Sequence, residues 1–318
     1  MKKIGKILLT IILSLISFCC VFALVQPILY RQYYQSAKLE FKVDGLMDGF
    51  IPQGLTYVME ADTWLYTGYM KDDQASRLYV VNDEGSRYID LYTTEGMYEG
   101  HAGGIGYEND VVYLANGGSD DSNRIYMFSL QDVLNTENTK IVMEKYFHPH
   151  ARASYCYVKD GMLWVGEFED GGSYQPNEEH IVSYTNRAIV VGYELNENGL
   201  VDEQVDCVLS TGSRVQGMAI DDEGRIALST SYGIASSHLK YYQSLDKQEL
   251  HTFVIDQQEV PMYILDNYSC IFDIKAPQMA EGIVFKNGRL YVIYESCTLK
   301  YFFGILTKGK YIHSYDFY

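Results

Sequence analysis

The sequence has 318 residues, with 25 basic against 42 acidic side chains and a formal net charge of −17. Residues 1–31 contain four of the basic side chains and none of the acidic ones, so the rest of the chain carries 21 basic against 42 acidic side chains, a net charge of −21. Such a surface repels nucleic acid and anionic lipid, which argues against a polyanionic partner. The remaining length suits one large all-β domain.

The amino terminus carries a long apolar segment. Lys2, Lys3 and Lys6 precede residues 7–25, which hold no charge and would form a helix about 28 Å long. Because a bilayer core is about 30 Å thick, we predict that residues 1–30 are an uncleaved signal anchor with one transmembrane helix. The lysines keep the amino end in the cytoplasm, which predicts a single-pass cell-membrane protein with an extracellular carboxy-terminal domain. A cleaved signal and a secreted domain are the alternative.

Five similar segments follow the anchor and predict the fold. They alternate apolar with polar or small residues and begin 50, 50, 63 and 65 residues apart, a spacing typical of propeller blades. The segments are residues 53–57, 103–107, 153–157, 216–220 and 281–285. Each leads through a turn into a second strand, and pairs such as Asp160-Gly161 and Asn287-Gly288 favour tight hairpins there. We predict a five-bladed β-propeller over residues 51–318.

The later strands of each blade repeat as well. Third strands are predicted at residues 76–79, 123–126, 186–189, 237–240 and 297–300, and fourth strands at 88–93, 141–147, 205–209, 270–274 and 311–315. Residues 31–50 are predicted to link the anchor to the propeller, and residues 39–43 alternate like a strand that could close the ring as an outer strand. Residues 170–184 and 243–260 are insertions, and residues 246–250 resemble a helical turn.

Polar residues cluster at the predicted mouth of the central channel. First strands converge on the axis of a propeller, so glycines such as Gly54 and Gly282 fit where no side chain can. Residues just before these glycines and at the ends of second strands should face one concavity. We predict ligand contacts from Gln53, Tyr69, Asn116, Glu167, Arg214, Gln216, Tyr232 and Glu295.

A subset of these groups suits acid/base chemistry. Glu281 is the hypothetical catalytic carboxyl, with His101 and Arg152 placed to orient a substrate or stabilise charge. An acid beside a basic group in a narrow polar channel has a shifted pKa, which is how general acids and bases arise. The alternative is that hydrogen-bonded polar groups and water simply fill the axis.

Metal and disulfide signals are weak in this sequence. Cys156, Cys207, Cys270 and Cys297 fall on blade positions too far apart for obvious bridges, so mostly buried thiols are expected. His148 and His150 share a side of an extended segment, but no further ligands are evident. We expect no cofactor, with calcium as the alternative because the rim is rich in oxygen ligands: Asp72, Asp73, Glu167, Glu169 and Glu295.

The first blade resembles a known family. Gln53-Gly54-Leu55, followed by residues 64–69 and 76–79, is similar to the first blade of plant-type glutaminyl cyclases, and the chain more broadly resembles YncE-like and lactonase-type propellers. Glu281-Gly282-Ile283 is similar to the segment with the acidic metal ligand in lactonase-type six-bladed propellers. The first resemblance implies a five-bladed propeller that cyclises amino-terminal glutamine with loss of ammonia, using a channel carboxylate as proton shuttle. That family has an acidic residue in the second glycine motif, where this chain has Gly103-Gly104, so Glu281 is the carboxylate offered here.

Three functions follow from these patterns. The first is a membrane-anchored extracytoplasmic propeller that binds a small molecule, a peptide or an envelope protein at its channel rim. The second is an enzyme with an acid/base carboxylate in the channel, such as a glutaminyl cyclase-like cyclotransferase, a lyase or a lactonase. The third is a scaffold within an envelope complex that uses its acidic outer faces.

Overall fold

The computed structural model describes residues 2–118, 120–202 and 204–318. The chain begins with helix α1 (Lys2–Leu29), a short helix α2 (Arg31–Ser36) and strand β1 (Lys38–Lys42). Within the residues that the structure describes, no helix meets the length and hydropathy required of a membrane span.

The remaining elements are strands in five sheets, joined by short turns and loops. Sheet one contains β2 (Phe50–Val58), β3 (Thr63–Met70), β4 (Arg77–Asn82), β5 (Gly85–Thr93) and the short β6 (Gly96–Met97); sheet two contains β7 (Gly104–Glu108), β8 (Val111–Asn116) and β9 (Arg124–Ser129). Helix α3 (Leu130–Leu134) follows, and then β10 (Lys140–Met143) and β11 (Lys145–Phe147). Strand β11 completes sheet two.

The second half of the chain forms three more sheets. Sheet three contains β12 (Tyr155–Lys159), β13 (Met162–Gly166), β14 (Ala188–Glu194) and β15 (Cys207–Thr211). Sheet four begins with β16 (Val215–Ile220), β17 (Ile226–Thr230) and β18 (Ser237–Tyr242). Strands β19 (His251–Ile255) and β20 (Gln258–Ile264) follow along the chain, and β21 (Cys270–Ala276) then completes sheet four. Sheet five contains β22 (Ala280–Lys286), β23 (Arg289–Tyr294) and β24 (Tyr311–Tyr315). Short 3-10 helices span Leu46–Asp48, Asp120–Ser122, Glu178–His180, Leu245–Lys247 and Phe302–Ile305.

The first strands of the five sheets form a closed ring. Strand β2 lies beside β7, β7 beside β12, β12 beside β16, β16 beside β22, and β22 again beside β2. Glycine permits this close approach, because a Cβ on Gly104 would lie 2.3 Å from the backbone nitrogen of Cys156. The five sheets are therefore the blades of a five-bladed β-propeller, which confirms the predicted fold class.

The ring is closed by a strand from the linker. Strand β1 pairs antiparallel with β24, so blade five has the order β22, β23, β24, β1. The predicted third strand at residues 297–300 is wrong, because this segment belongs to a loop that contains the 3-10 helix Phe302–Ile305. Residues 311–315 are the third strand rather than the fourth, and the predicted closing strand at residues 39–43 supplies the fourth. Ring closure removes a sheet edge that would otherwise stay unpaired.

Two predicted segments of the propeller divide differently between blades. Residues 141–147 were predicted as one fourth strand, but β10 pairs in parallel with β5 of blade one, and only β11 pairs with β9 of blade two. The insertion at residues 243–260 contributes to the hairpin of β19 and β20, and β20 pairs in parallel with β15 of blade three. Strands β10, β11 and β19 are edge strands of their sheets, and local sequence does not decide which neighbour such a strand joins.

A buried tyrosine joins the linker to the closing blade. Tyr33 of α2 is completely buried, stacks on Tyr315 with a centroid distance of 5.4 Å, and accepts a hydrogen bond of 2.7 Å from the hydroxyl of Tyr294. Its hydroxyl also lies 3.0 Å from Nδ1 of His313. Burial lowers the pKa of His313 to about 4, so this ring is neutral at pH 7.

We expect Tyr33→Phe to lower the free energy of unfolding by about 1–3 kcal/mol, because two buried polar groups then lose their shared partner. Urea unfolding followed by circular dichroism measures this loss. Tyr184→Phe is the matched control, since the side chain of Tyr184 is 92% exposed. Equal stability of the two variants would contradict the structural role of the Tyr33 hydroxyl.

Candidate functional site

A polar cavity of about 390 Å³ opens at the axis of the propeller. It lies at the end where the first strands begin, which we call the upper rim. Eight of the predicted site residues line it: Gln53, Tyr69, His101, Arg152, Gln216, Tyr232, Glu281 and Glu295. The first and last of them, Gln53 and Glu295, are more than 240 residues apart in the sequence, so only the ring of blades brings the set together.

Bulges in three inner strands aim polar side chains at this cavity. The pairing register shifts at Gln53 in β2, at Gln216 in β16, and at Glu281 and Gly282 in β22. A bulge sets two residues against one on the partner strand, which bends the chain and redirects a side chain. The same device thus places three polar groups from blades one, four and five at one mouth.

Glu281 is the most deeply buried ionisable group of the cavity. Its side chain is 2% exposed, and its Oε1 accepts hydrogen bonds from Nε2 of Gln216 at 3.2 Å and from the hydroxyl of Ser231 at 3.4 Å. Burial, followed by the negative charge of Glu295, raises the pKa of Glu281 well above its ordinary value. Both effects favour the protonated form of Glu281.

Glu295 is the second buried carboxyl of the cavity. It follows β23 directly, and its Oε1 accepts a hydrogen bond of 3.1 Å from the hydroxyl of Tyr69. Burial raises its pKa to about 7, and the hydrogen bond from Tyr69, the positive charge of Lys300 and a hydrogen bond from Gln53 oppose this rise. At neutral pH a large part of Glu295 is ionised.

The two carboxyls titrate as a pair rather than independently. The donors around Glu295 favour ionisation there, whereas Glu281 has no cation among the groups that shift its pKa. These causes favour a protonated Glu281 that can donate and an ionised Glu295 that can accept. Such a pair can bind a ligand with both kinds of hydrogen bond, or move a proton.

Lys300 contacts the aromatic wall of the cavity and was missed as a site residue. Its Nζ donates to the Tyr69 hydroxyl at 2.7 Å and lies 5.0 Å from the centre of the Tyr69 ring. The ring of His101 packs edge-on against the same tyrosine, at a centroid distance of 4.9 Å. Two effects lower the pKa of His101. The larger is the loss of hydration caused by the surrounding protein, although part of the ring is exposed, and the smaller is the positive charge of Lys300. No sequence signal marked Lys300, because it lay in a segment predicted as a strand.

We expect Lys300→Met to raise the pKa of His101, because the substitution removes a positive charge that disfavours the imidazolium. The measurement is an NMR titration of the histidine ring protons, with His101→Gln used to assign the resonance. Lys247→Met, on the exposed 3-10 helix Leu245–Lys247, is the control for loss of one lysine. An unchanged His101 titration in Lys300→Met would show that the two groups are not electrostatically linked.

Three predicted contact residues lie outside this cavity. Asn116 accepts a hydrogen bond from Tyr98 and donates one to the Ser122 carbonyl, so it holds a loop. Glu167 forms a buried pair with His180 at 2.8 Å and lines a neighbouring cavity of about 490 Å³. The guanidinium of Arg214 lies 5.0 Å from the ring centre of Tyr232 and lines a separate surface hollow. Arg152 and Phe168 line both the central and the neighbouring cavity.

The structure also shows the state of the four predicted thiols and the arrangement of the residue types that bind metals. Cys156, Cys207, Cys270 and Cys297 are free thiols, the first and last of them buried and the other two half-buried. Across residues 2–118, 120–202 and 204–318, no group of three or more His, Cys, Asp or Glu side chains is arranged to hold a metal ion.

The fold and the site define a five-bladed β-propeller with a polar, hydrogen-bonding cavity at its axis. No protein-family model matches the chain, and a search of curated proteins finds no match. Among solved structures, the chain is similar to the PQQ-bound form of aldose sugar dehydrogenase from Streptomyces coelicolor, with 16% identity, coverage of 81% of this chain and 78% of that one, and a TM-score of 0.47. It is also similar to a Thermus thermophilus protein described as an oxidoreductase (glucose dehydrogenase), with 14% identity, coverage of 81% and 79%, and a TM-score of 0.43. We draw no functional conclusion from these similarities.

Proposed function

We propose that this propeller binds a small polar molecule in the cavity at its axis. The carrying observation is that two buried carboxyls from blade five, Glu281 and Glu295, line the cavity together with Gln216, Ser231 and Tyr69. Sites for small molecules combine concave shape with a few convergent polar groups, and this cavity has both. Tyr69, Tyr232 and Phe168 add aromatic walls for the apolar faces of a ligand.

The charge state of the pair defines what such a ligand must offer. Ionised Glu295 accepts a hydrogen bond and protonated Glu281 donates one, so a ligand with a donor and an acceptor side by side is complementary. An amide, a hydroxyl-rich sugar and an amino-terminal peptide have this character. Arg152 and Lys300 at the edge of the cavity suit an additional anionic group.

Isothermal titration calorimetry on the full chain in detergent tests this proposal. The probes are glutaminyl peptides, muropeptide fragments and monosaccharides, titrated into the parent chain and into Glu281→Gln and Glu295→Gln. We expect at least one probe to bind the parent and to bind both variants more weakly. Glu84→Gln, on an exposed turn, is the matched control. Binding that is unchanged in both cavity variants would contradict the proposed site.

A second function is supported by the raised pKa of both carboxyls. In cyclisation of a glutaminyl peptide, the α-amine would form a bond to the γ-carboxamide carbon and pass its proton to Glu295, while Glu281 protonates the γ-amide nitrogen, which leaves as ammonia when its bond to that carbon breaks. Return of the proton from Glu295 to Glu281 would then restore the pair. A general base works best when its pKa lies near the operating pH, as the pKa of Glu295 does at about 7. Glu295, which directly follows β23, would supply the carboxylate that the resembled family has in its second glycine motif, where this chain has Gly103-Gly104.

Turnover assays distinguish an enzyme from a binding protein. Ammonia release from glutaminyl peptides and ring opening of lactones cover the cyclotransferase and lactonase alternatives. Activity that is lost in Glu281→Gln and Glu295→Gln but kept in Glu84→Gln would identify an acid/base enzyme. Tight probe binding without turnover would identify a binding protein.

Attachment to the extracytoplasmic face of the cell membrane is part of the proposal. The uncharged run at residues 7–25 and the preceding lysines support it. The structure adds that described side chains of α1, such as Ile7, Leu13 and Ile28, are exposed to the surroundings rather than packed on the propeller. Exposed apolar side chains on a helix favour an apolar environment that covers them. Flotation of the full chain with phospholipid vesicles after alkaline extraction is the measurement.

A further inference from the structure

Exposed apolar side chains gather at one side of the upper rim. The loop between β23 and β24 of blade five exposes Phe302 (71%) and Ile305 (63%), together with Leu299 and Leu306. The corresponding loop of blade four, between β17 and β18, exposes Ile234 (78%). The corresponding loops of blades one and two, residues 71–76 and 117–123, contain no large apolar residue and are polar or acidic. The blade-three loop, residues 167–187, exposes two tyrosines, Tyr174 (42%) and Tyr184 (92%), so the exposed aliphatic side chains and the exposed phenylalanine of these described rim loops belong to blades four and five.

Helix α1 joins the propeller beside these two loops. The hydroxyl of Tyr30, the residue that follows α1, lies 3.1 Å from the Ser236 hydroxyl in the blade-four loop. The hydroxyl of Tyr34 in α2 donates to the Thr307 carbonyl in the blade-five loop at 2.8 Å. Because Tyr30 is itself buried, the exposed part of α1 starts at the upper rim, next to Ile234 and the blade-five loop. Helix α1 therefore meets the propeller on the side of the rim that carries both loops.

The charge of the blade-five loop differs from that of the rest of the domain. Residues 296–310 contain Lys300, Lys308 and Lys310 and no acidic residue, whereas the domain as a whole has a strong acidic excess. Lysines that flank apolar side chains are typical of segments at a lipid surface, where the apolar part enters the acyl boundary and the ammonium meets the phosphates. A soluble protein partner would not require the apolar helix beside the loop.

We infer that this patch (Ile234, Leu299, Phe302, Ile305 and Leu306) rests on the lipid bilayer, so that the upper rim of the propeller faces the membrane. Lys300 and Tyr301 of the same loop line the central cavity, which therefore opens at the lipid surface and receives molecules from it. The inference rests on the proposed membrane attachment, and it adds which face of the propeller meets the lipid.

Fluorescence quenching by brominated lipid tests the orientation. The full chain is reconstituted into phosphatidylcholine vesicles, with and without dibrominated phosphatidylcholine, as the parent and as Phe302→Trp and Ile234→Trp. The emission of Trp64 and Trp164 in the parent is subtracted. Met59→Trp is the matched control, because Met59 is equally exposed (74%) in the turn at the opposite rim. We expect the added tryptophans at 302 and 234 to lose most of their emission to brominated lipid and the one at 59 to lose none.

Flotation of the same samples distinguishes membrane attachment from the orientation of the propeller on the membrane. If the chain floats with vesicles but the tryptophans at 302 and 234 are not quenched, attachment holds and the proposed orientation is wrong. If the chain does not float, attachment itself fails. Blue-shifted emission at 302 without bromolipid quenching would indicate burial against protein and would also overturn the inference. Equal quenching at position 59 would show that no face is preferred.

Discussion

Gly282→Ala is expected to lower the free energy of unfolding by about 3 kcal/mol or more. A Cβ at this position would lie 2.5 Å from the backbone nitrogen of Leu55, 2.7 Å from the carbonyl oxygen of Gln53 and 2.9 Å from the carbonyl carbon of Gly54. All three atoms belong to the first strand of the next blade. Because backbone atoms in the inner ring cannot move without displacing a whole blade, the clash is not relieved by a change of side-chain rotamer.

Thermal unfolding of the parent, Gly282→Ala and Gly172→Ala measures this effect. Gly172 is a matched control, since a Cβ there would meet nothing closer than the Asp170 side chain at 3.4 Å. For a domain of this size, the loss corresponds to a fall in the melting temperature of roughly 6–12 °C. If Gly282→Ala melts with Gly172→Ala, blades five and one are not packed as closely as the ring requires.

The second large effect concerns the pH dependence of stability. The pKa of Glu295 is about 7 in the folded protein, above the ordinary value of 4.5. Below pH 4.5 both the folded and the unfolded chain hold this proton. As the pH rises from 4.5 towards 7, the unfolded chain releases the proton more readily than the folded chain, so the folded state is progressively disfavoured.

Glu295→Gln should remove this contribution, because glutamine is similar in shape and does not ionise. Relative to the variant, we expect the parent to lose on the order of 3 kcal/mol of unfolding free energy between pH 4.5 and pH 7.5. Urea unfolding at intervals of pH measures the difference, and subtraction of the two curves cancels other titrating groups such as His313. Glu84→Gln controls for the loss of one carboxyl. Parallel curves for the parent and Glu295→Gln would show that Glu295 does not titrate in this range.

The same variants connect stability to function. If burial of the pair is maintained for a ligand, Glu295→Gln gains stability near neutral pH while it loses binding. A site that keeps unfavourably buried carboxyls at the expense of stability is typical of functional rather than structural residues. Both outcomes together would separate the proposed site from polar groups that merely fill the axis of the propeller.

Local patterns in the sequence were sufficient for the blades and for most of the cavity wall. A few neighbouring residues are enough to show the alternation, the hairpin turns and the inner-strand glycines, which are Gly54, Gly104, Gly217 and Gly282. The alternation repeats five times and the glycine four times, which predicts a ring, and a ring predicts that Gln53, Gln216 and Glu281 meet. The membrane anchor at residues 1–30 stays a prediction.

The errors came from segments whose partners are distant in the chain. Residues 297–300 look like a third strand, yet the third strand is β24, because β1 from the linker occupies the outer position. Strand β10 pairs with blade one although it follows blade two along the chain. Outer strands have few inward-facing contacts, so their local pattern does not specify which sheet they join.

The sequence by itself predicted the fold class, the closing strand and eight residues of the cavity wall. Only the tertiary structure decided that Glu281 and Glu295 share one buried environment, that Lys300 contacts Tyr69, and that α1 leaves the propeller beside Ile234 and Phe302. The physical reason is that strand and turn formation depend on neighbouring residues. Burial, charge coupling and the position of loops depend instead on how five separately formed blades close around one axis.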